Sequence, residues 1–154
     1  MTSGPVAFRR ATPDDLETIV ALLADDPLGR EREKSGPGLD AGYRDAFTAI
    51  DRDPNQLLAV AEHDGRVIGV LQLSFIPGLT RRGMCRGQIE GVRITESERG
   101  GGVGRAMLEW AIEECRKRGC GLVQLTSDER RPDAHRFYEA LSFRATHRGY
   151  KLSL

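Results

Sequence analysis

No run of apolar residues in this sequence approaches the roughly 20 needed to cross a bilayer as a helix, so no membrane span is expected. The opening residues, Met1-Thr2-Ser3-Gly4-Pro5, lack the basic and then apolar regions of a secretory leader, and a cytoplasmic protein is expected. Neither sign of charge is in excess, because 23 Lys and Arg residues meet 23 Asp and Glu residues. A generic binder of nucleic acid or of anionic membrane would carry a basic surplus, so neither partner is expected. Cysteine is scarce: Cys85, Cys115 and Cys120 form no Cys-x-x-Cys pair. They supply neither a disulfide framework nor the close ligand set of a structural zinc, and His63, His135 and His147 are too dispersed to help. No metal is expected, and the cysteines read as small hydrophobes.

What is present suits one domain spanning 1–154, a length that buries about two-thirds of the unfolded surface without staples. Val6 to Arg10 reads as an opening strand. Thr12 caps a helix that begins at Pro13, with Leu16, Ile19, Val20 and Leu23 at helical spacing. The charged, glycine-rich stretch from Asp25 to Gly42 reads as a mobile loop. A second helix runs from about Ala41 to Asp51. Two strands, Leu57–Ala61 and Val67–Phe75, are joined by His63-Asp64-Gly65-Arg66, a tight-hairpin signal. A fourth strand covers Gln88 to Thr95.

A strongly amphipathic helix follows, with Val103, Met107, Trp110, Ala111 and Cys115 on one face and a Glu113–Lys117 pair on the other; Gly119 stops it. A fifth strand (Leu122 to Thr126), a helix (Asp133 to Leu141, capped by Asp133) and a closing strand pair near Leu154 complete the order. This β-α-α-β-β-β-α-β-α-β succession predicts an α/β fold, a central mixed sheet with helices on both faces. The Arg81, Arg82 and Arg86 cluster before the fourth strand reads as a solvated turn.

Between the fourth strand and the amphipathic helix lies Arg99-Gly100-Gly101-Gly102-Val103-Gly104-Arg105. The first turn of a helix leaves backbone N–H groups unpaired, and the macrodipole adds about half a positive charge there. Glycines on the approach let a diphosphate rest directly on those groups, and Arg99 and Arg105 add charge. A Walker loop would need Gly-Lys-Ser/Thr, which is absent. A dinucleotide fingerprint would need a small residue where Met107 stands.

The pattern that fits is Arg99-x-x-Gly102-x-Gly104, which resembles the GNAT superfamily of N-acetyltransferases. A second segment, Ala134-His135-Arg136-Phe137-Tyr138-Glu139-Ala140-Leu141-Ser142-Phe143, is similar to the family's Ala-x-x-Phe-Tyr-Glu-x-Leu-Gly-Phe. With the element order, the resemblance covers nearly the whole chain. It implies that acetyl-CoA is the co-substrate, its pantetheine arm along the backbone of Val92 and Ile94 and its pyrophosphate on N–H groups from Arg99 to Arg105. By the same resemblance Tyr138 is the candidate general acid for the departing thiolate. The other reading of Tyr138 is a core aromatic, since Ala134, Phe137, Tyr138 and Leu141 share one helical face.

Glu90 is the candidate general base. An amine of lysine-like pKa is mostly protonated near neutrality, and freeing its lone pair costs about 4.6 kcal/mol. Strand alternation puts Gln88, Glu90, Val92 and Ile94 on one side, unless a bulge shifts the parity. Two residues depart from the family pattern. Arg131 stands where the family has an Asn that contacts pantetheine, leaving Ser127, Asp133 or Arg131 itself to replace that contact. Ser142 replaces a Gly in a position that favours the left-handed conformation.

The implied activity is direct acetyl transfer in a ternary complex to a primary amine, either a small molecule or a peptide, and the analogy admits a homodimer. A non-catalytic acyl-CoA-binding or sensor domain, and an acyltransferase using another acyl chain, are the alternatives.

Overall fold

A computed structural model describes residues 4–154; Met1 to Ser3, part of the stretch inspected for a leader, lie outside the described residues. Five strands form one sheet in chain order: β1 (Ala7–Arg10), β2 (Gln56–His63), β3 (Arg66–Ile76), β4 (Arg86–Ile94) and β5 (Leu122–Leu125). The first four are antiparallel and β5 runs parallel to β4, so the sheet is mixed as expected. Among the described residues five helices of six residues or more accompany it: α1 (Leu16–Ala24), α2 (Pro27–Arg32), α3 (Ala41–Arg52), α4 (Val103–Lys117) and α5 (Pro132–Ala140).

Alternation along the strands feeds two cores. Ala59, Ala61, Leu71, Leu73 and Ile89 pack against Met107, Leu108 and Ala111 of α4. Val60 and Val70 point the other way, against Ile19 and Val20 of α1 and Phe47 of α3. Period-two patterning thus buries both faces of the sheet, which is why helices cover both. The β2–β3 hairpin turns through Asp64 (φ 49°) and Gly65 (φ 74°), the two positive φ angles its Asp-Gly signal anticipates. Val103, Met107, Ala111 and Cys115 are all buried along α4, and Gly119 (φ 76°) follows its end.

Four local expectations are corrected. The stretch after Asp25 contains a helix, α2, because the Asp26 side chain accepts from the Gly29 N–H and Pro27 occupies the first turn. On α4 the pairs are Arg116–Glu113 (3.1 Å) and Lys117–Glu114 (3.0 Å), so spacing of three residues prevails over Glu113–Lys117. Helix α5 is capped by Arg131, with Pro132 and Asp133 inside its first turn.

The closing strand pair does not form among the described residues. Phe143 packs against the core, but the chain beyond it makes no backbone ladder to β5, and Tyr150 and Leu152 are 87% and 86% exposed.

Ser142 has φ 71°, the left-handed conformation in which a side chain is unfavourable. Ser142→Gly should therefore raise unfolding stability by about 1 kcal/mol, read as a higher denaturant midpoint at unchanged slope. A lower midpoint would contradict the strain assignment.

Candidate active site between the splayed strands

The pairing of β4 with β5 runs from Arg86–Leu122 to Ile89–Leu125 and then stops, while β4 continues to Ile94. Its last residues therefore have a neighbour on the β3 side only. Glu90 pairs with Gln72 and Arg93 with Val70, so Gly91 and Val92 stand opposite Leu71 alone, and Gly91 has φ 62°. This is a bulge built on a left-handed glycine. It reverses the alternation at the point where it matters.

Val92 and Ile94 pack against the α4-side core, whereas Glu90 and Arg93 share the opposite face with Gln72 and Val70. The expectation that Glu90 lies on the same side as Val92 and Ile94 is thus overturned by one extra residue. Glu90 is exposed, and its carboxylate accepts from Gln88 Nε2, while Gln88 Oε1 accepts from Gln124 Nε2 at 2.9 Å. A chain of amides running across β5 and β4 therefore orients it.

Beyond Ile94 a short 3₁₀ turn (Glu96–Glu98) leads into the glycine loop. Gly102 (φ 86°) precedes α4, and a Cβ on Gly100 or Gly102 would meet nothing within 4 Å, so the approach to the helix is open. Helix geometry leaves the N–H groups of Val103, Gly104 and Arg105 without an intrahelical acceptor. This bare, dipole-facing cradle fits a diphosphate. Arg99 donates from Nε to Ile94 O (3.1 Å) and thereby ties the loop to the end of β4. Arg105 is paired with Glu109 at 3.0 Å, so its charge is partly compensated.

Tyr138 approaches from α5. Its ring packs edge-on against Phe137 (5.3 Å between centroids) and Phe143 (6.0 Å). A Cβ on Gly104 would lie 3.5 Å from Phe137 and 3.6 Å from Ile94, so α5, the cradle and the end of β4 meet here. Burial pushes the Tyr138 phenol above its ordinary value, while the Arg93 and Arg131 charges pull the other way. Phe137, Ile94 and Gly104 are thus brought together, with Tyr138 beside Phe137 and within electrostatic reach of Arg93 and Arg131. Asp133 is not among them: it is exposed and pairs with Arg136 one turn along α5.

Two residues the sequence reading did not single out, Asp26 and Arg93, lie on the Glu90 face together with Arg131. Asp26 Oδ2 lies 2.7 Å from Arg131 Nη1 and 3.4 Å from Arg93 Nε. The readable signal was Asp-Pro-x-Gly at 26–29, a cap that fixes the Asp26 carboxylate. A cleft of about 590 Å³ opens on another flank of α2, between Ala21, Asp25, Arg30, Glu33 and Thr95; Tyr138 and Arg131 are not in its lining. Among the described residues no group of His, Cys, Asp or Glu could hold a metal ion, and no helix is long and apolar enough to cross a membrane. Arg81 and Arg82 are exposed and in left-handed conformation on the turn ahead of β4, at the opposite end of that strand from the cradle.

The sequence profile of the Acetyltransferase (GNAT) family matches residues 17–143. This chain belongs to the GNAT family of acetyltransferases. It is 31% identical over 140 residues to the aminoalkylphosphonate N-acetyltransferase of Salmonella typhimurium (strain LT2), spanning 91% of this chain and 86% of that protein. It is 40% identical over 90 residues to the glucosamine 6-phosphate N-acetyltransferase of Trypanosoma brucei brucei, covering 58% of this chain and 59% of the relative. A crystal structure from Bacillus halodurans C-125, described as a transcriptional regulator, superposes with a TM-score of 0.94 at 47% identity, over 97% of this chain and 100% of the other. This GNAT chain is accordingly an acyltransferase enzyme, and its family uses acetyl-CoA.

Replacing Gly102 by Ala should raise the acetyl-CoA dissociation constant about 10-fold, because a left-handed alanine costs roughly 1–2 kcal/mol and adds a methyl at the cradle. Calorimetry showing an unchanged constant would remove Gly102 from the diphosphate seat.

Proposed function

We propose that residues 1–154 form a single domain that transfers the acetyl group of acetyl-CoA, by direct attack in a ternary complex, to a primary amine carrying a phosphonate or phosphate group. The observation that carries this reading is the gap beside the end of β4, with the bare N–H groups that open α4 at one end of it and Tyr138 within electrostatic reach of Arg93 on that strand. The acceptor class is supported by the relatives that act on an aminoalkylphosphonate and on glucosamine 6-phosphate, and by the arginines on the Glu90 face.

In this reading Val103, Gly104 and Arg105 hold the pyrophosphate, with Arg99, Gly100, Gly101 and Gly102 shaping the approach. The backbone of Val92 and Ile94 aligns the pantetheine arm, and an N–H near Val92 stabilises the charge that develops on the thioester oxygen. Glu90, held by Gln88, accepts the proton that the ammonium must lose, directly or through water. Tyr138 gives its proton to the departing sulfur. No step requires a metal. A second reading, an acyl-CoA-binding sensor without turnover, draws on the description of the Bacillus structure as a transcriptional regulator. Product formation separates the two.

A phenol raised above its ordinary value keeps its proton throughout the neutral range and loses it only at more alkaline pH. Tyr138→Phe should lower turnover at saturating substrate by roughly 10-fold to 10⁴-fold and abolish the alkaline limb of the pH–rate profile. Wild-type turnover by this variant would withdraw Tyr138 from the chemistry.

A further inference from the structure

We propose that Arg93 and Arg131 together form the seat for the acceptor's anionic group, with Arg32 at its rim; this rests on the anionic-amine reading above. The bulge at Gly91 turns Arg93 towards α2, and the loop after β5 brings in Arg131, so two guanidiniums converge on the single oxygen Asp26 Oδ2. The Arg93, Arg131 and Asp26 side chains are 18%, 23% and 20% exposed, which leaves each reachable yet largely desolvated. Beside them Arg32 pairs with Asp128 at 2.9 Å, and Arg130 shares that carboxylate at 3.0 Å. Four arginines thus gather around Asp26 and Asp128, with Glu31 also near Arg130.

The shortfall is sharpest at Arg93, whose buried Nε meets Asp26 only at 3.4 Å and makes no hydrogen bond. Burial and the neighbouring Arg131 both act against its charge. A tetrahedral oxyanion matches the planar forks of two guanidiniums better than one carboxylate oxygen does. The phenol of Tyr138 lies within the electrostatic reach of both arginines, so an anion seated there holds a short amine close to the acid. Because Arg131 replaces the Asn of the family pattern, the seat is a selectivity feature of this chain.

The test is binding of 2-aminoethylphosphonate, with ethanolamine, which lacks the anionic group, as the control, to the CoA-loaded protein by calorimetry. The wild type should bind the phosphonate. Arg93→Gln should weaken it about 10- to 100-fold without changing CoA affinity or melting temperature; Arg131→Gln, measured on protein saturated with CoA, should weaken it by a similar factor, and Arg131→Lys should recover part of the loss. Wild-type preference for the phosphonate that survives in both Gln variants would overturn the seat and leave the acceptor class standing. A wild type that binds the phosphonate no better than ethanolamine would overturn both.

Discussion

Where β4 loses β5 as a neighbour, the molecule has backbone donors and acceptors that no strand of its own satisfies, and buried backbone groups do not stay unpaired without cost. The chain meets part of this need with side chains: Arg93 donates to the Val92 carbonyl at 2.8 Å and Arg99 to that of Ile94. The rest of the edge is a strand-shaped vacancy, suited to an extended amide-bearing arm. The glycine loop follows directly from the end of β4, so the open helix terminus is carried to one end of the vacancy, and α5 brings Tyr138 alongside. Each of these placements depends on β5 ending at Leu125.

The bulge at Gly91 divides the labour between the two faces of the sheet. On one side Val92 and Ile94 continue the apolar lining of α4; on the other, Glu90 and Arg93 face a polar surface that includes Gln72, Gln88 and Gln124. Without the extra residue, the carboxylate and the apolar pair would compete for the same side. In the proposed reaction the acyl donor lies between the strands and the acceptor approaches from the face that carries the charges.

Helix α2 closes over that face through Asp26 with Arg93 and Arg131, and through Arg32 with Asp128. Of these, the Arg32–Asp128 pair, with Arg32 half exposed, contributes little, typically about 0–1 kcal/mol, because water screens it. A strap held in this way can be displaced by a ligand that offers a better anion. The same strap presents its carboxylate at the point where two arginines meet.

The succession of β1 to β5, the α4 core face, the Asp64-Gly65 hairpin and the glycine loop could all be read in the sequence, because each is a local pattern: period 2, period 3.6, or a turn requiring positive φ. The Tyr138 segment was equally legible as a motif. Helix α2 was missed because six residues make a weak periodic signal, although its Asp26-Pro27 start was in view. The side that Glu90 faces depends on a single inserted residue, and period-two reasoning cannot see an insertion that only the partner strand defines. The meeting of Asp26, Arg93 and Arg131 joins residues far apart in the chain. Local chemistry therefore determined the elements and the cradle; tertiary structure decided which charges converge and which strand stays unpaired, because those depend on contacts that no short stretch of sequence contains.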